Sequence, residues 1–194
     1  MTRAEEQVAT HEKKTLGLWI YLMTDSVLFA ALFATFAVLR TATAGGPGGP
    51  ELFDLPFVLI ETIILLTSSF TIGMALLGSV RGYKKQTFVW LFITFVLGVT
   101  FLSMELYEFM VLIGEGYGPQ QSAFLSSYFT LVATHGVHIA IGLIWMAVVI
   151  VRLWRHNFKK TDVNRLALLG LFWHFLDIIW IFIFSFVYLI GGMA

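Results

Sequence analysis

Five stretches of the chain carry almost nothing but apolar side chains, and short polar or breaker-rich segments separate them. The runs cover about 16–39, 56–79, 87–114, 123–151 and 166–190, each at or above the roughly 20 residues that a helix needs to cross a bilayer. They do not alternate polar with apolar and are far too long for strands, so the pattern predicts helices. The first linker, "RTATAGGPGGPELFDLP", holds three prolines and four glycines, a composition expected to exclude helix. The others are "RGYKKQ", "EGYGPQQS" and "RLWRHNFKKTDVNR". The predicted fold class is all-α: an integral membrane bundle of five transmembrane helices, with residues 1–15 as a polar tail and 16–194 as one domain.

Composition agrees with the pattern. Of 194 residues, 58% are hydrophobic and 12% charged, and mean hydropathy is +0.85. A soluble domain would carry about a quarter charged residues. The net charge of zero leaves no basic footprint for nucleic acid. With no cysteine, disulfides, thiolate metal sites and iron–sulfur clusters are excluded. The polar start runs into a span too long for a signal-peptide core, with no small-residue cleavage site after it, so the N-terminus is expected to be retained.

Loop charge then predicts orientation. Arg3, Lys13 and Lys14 precede the first span, Arg81, Lys84 and Lys85 follow the second, and Arg152, Arg155, Lys159, Lys160 and Arg165 follow the fourth. All lie on one side of a five-span chain, and Arg40 alone lies on the other. The N-terminus is expected to be cytoplasmic and the C-terminus external. Tyr21, Trp90, Trp145 and Trp154 fall near predicted span ends, where amphipathic rings favour the interface, whereas Trp173 and Trp180 are expected to pack inside.

The spans contain eight ionisable residues of interest: Asp25, Glu61, Glu105, Glu108, His135, His138, His174 and Asp177, with no Lys or Arg among them. At about 1.5 Å per residue, Asp25, His135, His138, His174 and Asp177 fall near mid-membrane, and the three glutamates fall in the outer third. A charge at the bilayer centre costs about 3 kcal/mol on insertion scales. These groups must therefore turn inward, pair, or stay neutral.

Several chemistries could use them. "THGVH" puts His135 and His138 on one helix face, and His174 with Asp177, also at i, i+3, could complete a metal site in a bundle. A histidine of the fourth span and His174 could sandwich a haem, with Gly136, Gly142 and Gly170 giving room and Phe172, Trp173 and Phe175 crowding it. Intramembrane acids also suggest ion or proton transport, although five spans without an inverted repeat do not look like a stand-alone carrier. Finally, polar side chains can simply hold helices together, each hydrogen bond contributing about 0.6–2 kcal/mol. Small residues such as the Ser69/Gly73 and Gly136/Ala140 pairs would let helices approach. Residue by residue, this fastening role is preferred.

The combination says more than its parts. "FLSSYFTLVATHGVHIAIGLIW" followed by "LFWHFLDIIWIFIFSFVYLIG" resembles the last two membrane helices of subunit III of haem-copper terminal oxidases. The family's His-Gly-x-His pattern stands here at His135–His138, and its Trp-His-Phe-x-Asp-x-x-Trp pattern at Trp173–Trp180. "FITFVLGVTFLSMELYEF" resembles the helix ending in Glu-x-Tyr-Glu, here Glu105 and Glu108, and "ETIILLTSSFTIGMA" and "LGLWIYLMTDSVLFAALFATFAVL" resemble the two helices before it. The match runs from about residue 14 to 192 in order. Two departures are evident. The mitochondrial-type subunit has two further helices at its start, and its mid-membrane acid, often Glu, is Asp25 here. Both departures, with the Gly/Pro linker, resemble the bacterial ubiquinol-oxidase branch of cytochrome bo type.

The resemblance implies an accessory subunit of a bacterial inner-membrane oxidase that oxidises quinol, reduces oxygen to water and pumps protons. It implies no cofactor in this chain: haems and copper belong to subunit I, the main partner, with subunits II and IV and membrane lipids as further neighbours. It also implies packing near a proton-uptake route on subunit I and a possible bound phospholipid. Asp25 stands at the family's mid-membrane acid, with an interhelical hydrogen bond ranked ahead of a proton-uptake role. His174 and Asp177 are expected to tie the fifth span to its neighbours as a pair. The alternatives are a protein binding its own haem or metal through His135, His138 and His174, and subunit III of a cytochrome c oxidase.

Overall fold

The computed structural model describes residues 3–155 and 160–191, so Lys159 lies outside the described residues. Among the described residues there are helices and turns and no strand. Helix α1 runs Arg3–Leu39, α2 Gly49–Leu52, α3 Leu55–Val80, α4 Lys84–Gly114, α5 Ala123–Arg155 and α6 Lys160–Ile183, continued by a π-helical turn, Phe184–Leu189. Five of these helices are long and apolar enough to cross a membrane. The polar stretch before the first apolar run is itself helical, because its Ala, Glu, Gln and Lys residues favour helix.

One expectation is corrected. The Gly/Pro linker holds a single helical turn, α2, closed by the Phe53 N–H donating to the Gly49 carbonyl at 3.1 Å. Proline belongs in a first turn, where its fixed φ fits and its missing N–H has no partner to lose. Phe53 is the anchor that holds the turn down. Its ring is buried, with centroids 4.9 Å from Tyr188 and 5.1 Å from Tyr128.

The two short loops end their helices in the same way. After α3, the Tyr83 N–H reaches the Gly78 carbonyl and the Gly82 N–H the Ser79 carbonyl; after α4, Tyr117 reaches Leu112 and Gly116 reaches Ile113. Both are Schellman caps, and both need a left-handed residue, supplied by Gly82 at φ 77° and Gly116 at φ 89°. Gly116→Ala should therefore lower stability by about 1 kcal/mol, readable as a lower unfolding temperature of the purified protein in detergent.

Helices α3, α4, α5 and α6 close into a ring, each packing on the next and α6 returning to α3, while α1 lies outside against α5 and, less extensively, α6. Trp173 fills the ring's interior. A Cβ on Gly98 would sit 2.8 Å from its indole, and one on Gly142 would sit 3.0 Å away. The two glycines thus form the slot that the indole occupies. Trp180 packs edge-on to Phe101 at 4.6 Å. Both tryptophans are fully buried.

Candidate functional site

The eight ionisable residues fall into separate groups, set between different helices. Asp25 of α1 meets His138 of α5, with Oδ2 3.4 Å from Nε2, an ion-pair distance angled short of a hydrogen bond. Tyr21, one turn earlier on α1, lies close enough to Asp25 to interact with it electrostatically. On the far side of the ring, His138 Nδ1 lies 2.7 Å from the Thr134 carbonyl. A carbonyl only accepts, so Nδ1 carries a proton and Nε2 is left to face the acid. The contact is an ion pair only when Nε2 is protonated as well, and the two charges then cancel. That is how an acid and an imidazole can sit together where an isolated charge could not.

A second group joins α4 to α5 and the π-helical turn. Tyr188 donates to Glu108 Oε2 at 2.9 Å. Its single proton is then committed, so in the 2.9 Å contact between the two tyrosine hydroxyls Tyr128 is the donor. Glu61 and Glu105 lie close enough to act electrostatically with Glu108. Both are fully enclosed, and their carboxyl oxygens have no hydrogen-bond partner among the described residues. Glu105 owes its place to Gly136, since a Cβ there would come 2.6 Å from Oε1. Tyr188→Phe removes one hydroxyl and leaves Glu108 and Tyr128 each short of a partner. It should cost about 1–3 kcal/mol, seen as earlier thermal unfolding without loss of the helical signal.

The third group bolts α6 to α3. Trp173 Nε1 donates to Ser68 Oγ at 2.9 Å, Trp180 Nε1 to Thr62 Oγ1 at 3.0 Å, and His174 Nδ1 lies 2.6 Å from Ser69 Oγ. The expected bond between His174 and Asp177 is absent among the described residues. Asp177 comes near enough to Ser69 to feel its hydroxyl, but neither carboxyl oxygen completes a hydrogen bond. Residues at i and i+3 share a helix face, yet the neighbouring helix offered His174 a hydroxyl at better range. The fifth span is tied to a neighbour, and Ser69 rather than Asp177 is what His174 holds.

His135 stands apart from His138. It is fully buried, stacked on Trp180 at 5.3 Å and edge-on to Phe101 at 6.1 Å, and neither ring nitrogen has a partner among the described residues. His138 instead turns to α1. Spacing on one face thus did not make the two imidazoles converge. Among the described residues no three His, Asp or Glu side chains are grouped to hold a metal. Nor do the residues fit a haem held by His174 and a histidine of α5. His174 faces the α3 seam, and the space inside the ring is filled by Trp173 against Gly98 and Gly142 and by Trp180 against His135.

Tyr128, Tyr188, Thr62, Ser68 and Ser69 complete these groups, and the sequence did not single them out as hydrogen-bonding partners. A helical hydroxyl carries little signal because it can bond its own backbone one turn back, as Thr35, Thr67, Thr100 and Thr130 do here.

Several of these groups tie one helix to another. The family model described as "Cytochrome c oxidase subunit III" matches residues 4–192. A relative from Pseudomonas aeruginosa named cytochrome bo(3) ubiquinol oxidase subunit 3 is 54% identical over 91% of this chain and 85% of its own length. Its namesake from Pseudomonas putida is 52% identical over 91% and 85%. A cytochrome c oxidase subunit 3 from Bacillus sp. (strain PS3) is 42% identical over 97% and 92%. On a match that runs the length of the chain, this protein belongs to the cytochrome c oxidase subunit III family.

Proposed function

We propose that the chain is the third subunit of a bacterial ubiquinol-oxidising haem-copper terminal oxidase of the bo(3) type, supporting a catalytic subunit that reduces oxygen to water. The observation that carries this reading is the identity to the two Pseudomonas ubiquinol oxidase subunits, higher than to the cytochrome c oxidase subunit. The internal geometry is consistent with it: Asp25 with His138, Glu108 with Tyr188 and His174 with Ser69 each join different helices. In this reading the chain carries no cofactor, haems and copper sit in subunit I, and subunits I, II and IV with membrane lipid are its neighbours. The protein resides in the bacterial inner membrane, and the crowding of basic residues at one end supports a cytoplasmic N-terminus and an external C-terminus.

The relative from Bacillus keeps a second donor in view. Membranes containing the assembled oxidase should take up oxygen with ubiquinol and not with reduced cytochrome c. The opposite preference would move the chain to a cytochrome c oxidase. Co-purification of this chain with a haem-bearing subunit, and no Soret band from the chain alone, would complete the test.

A further inference from the structure

Among the polar groups of the spans, His174 is one that is only half-buried. Its Nδ1 is held by Ser69. Its Nε2 has no partner among the described residues and is not among the enclosed polar atoms, on a ring that is only partly buried. His174 stands roughly 20 Å along α6 from Thr161 at about 1.5 Å per residue, near the middle of a hydrocarbon layer roughly 30 Å thick. Headgroups and water do not reach that depth, and acyl chains offer no hydrogen bond.

The surroundings add a second observation. Gly73 lies one helical turn from Ser69, on the same face of α3, and a Cβ built there meets nothing within 4 Å. Gly98, Gly136 and Gly142 instead have neighbours at or under about 3 Å, so Gly73 serves no close contact inside this chain. Exposed Phe70 of α3 and Ile178 of α6 flank the spot. The seam therefore presents an open notch beside an unmet imidazole nitrogen, framed by apolar side chains.

We propose that the α3/α6 seam at Ser69, Gly73 and His174 is the docking face for a transmembrane helix of another oxidase subunit, one that brings a hydrogen-bonding side chain to His174 Nε2. The proposal rests on the reading of the chain as an oxidase subunit. Hydrocarbon cannot satisfy the ring nitrogen, whereas a partner helix can, and small residues at the contact let backbones come close enough for side chains to reach across.

The decisive variant is Gly73→Leu. A Cβ at position 73 meets nothing within 4 Å in this chain, so the chain should still insert and fold, but the added side chain would occupy the partner's place. The fraction of this chain retained with the haem-bearing subunit after detergent extraction should fall by severalfold. His174→Leu, which removes the bond without filling the notch, should lower retention by about threefold or more. In the intact oxidase, a photoreactive residue at position 70 or 178 should cross-link to another subunit. Undiminished retention of Gly73→Leu, or cross-links to lipid alone from both positions, would overturn the docking face. Either result would leave the subunit reading standing if the wild-type chain still co-purifies with haem. Failure of the wild-type chain to co-purify would remove the subunit reading and the docking face with it.

Discussion

Trp173→Ala is expected to lower the stability of the bundle by about 3–5 kcal/mol, enough to prevent the chain from accumulating in the membrane. The indole is fully enclosed and occupies a slot cut by Gly98 and Gly142, with its N–H spent on Ser68. Truncation leaves a cavity that four helices would have to collapse into, and it leaves the Ser68 hydroxyl without its donor. Gly98→Ala attacks the same contact from the other side. Its new Cβ would fall 2.8 Å from the far edge of the indole and 2.9 Å from Leu143, and overpacking of this kind costs about 1–3 kcal/mol. Trp173→Phe lacks the indole atoms that the new methyl group would strike. The double variant Gly98→Ala/Trp173→Phe should therefore be more stable than the two single losses added together. Simple additivity in denaturation of the purified protein would show that the slot is not the determinant.

The second large effect is expected at Asp25. Asp25→Ala should cost about 3 kcal/mol, because it strands the imidazole of His138 at the α1/α5 contact. Asp25→Asn should be tolerated, and the reason is geometric. His138 Nδ1 is bound to the Thr134 carbonyl, so a neutral His138 presents Nε2 as an acceptor, and the amide of asparagine can donate to it. Among the described residues, helix α1 packs mainly on α5 and α6, so this contact is a large part of what holds it. The yield of intact protein from membranes should rank wild type and Asp25→Asn close together, with Asp25→Ala well below. If the asparagine variant also fails to accumulate, the contact requires the carboxylate itself. For His174, Ser69→Ala should matter more than Asp177→Ala, since Ser69 holds the ring.

Much of this molecule was legible before any coordinates. The five apolar runs became the five long helices because a segment that must satisfy its own backbone in hydrocarbon has almost no choice but helix. The enclosure of Asp25, Glu61, Glu105 and Asp177 followed from the cost of placing acids against lipid. Trp173 and Trp180, too far from the span ends for an interfacial role, are inside. The family could be named from motifs because they occur in order along the whole chain, a linear property.

What the sequence could not supply was partnership. Periodicity says which residues share a helix face but not which neighbouring helix that face meets. Hence His135 and His138 diverged, one to Trp180 and the other to Asp25, and His174 took Ser69 in preference to Asp177. The one-turn helix at Gly49–Leu52 was hidden for a similar reason. Its composition argues against helix, and only the burial of Phe53 among the rings of Tyr128 and Tyr188 makes it worth forming. Hydroxyl partners were invisible because each can be satisfied on its own helix. Local forces within one helix wrote the spans into the chain, whereas the pairing of polar groups depends on helix rotation and order around the ring, which only the tertiary structure decides.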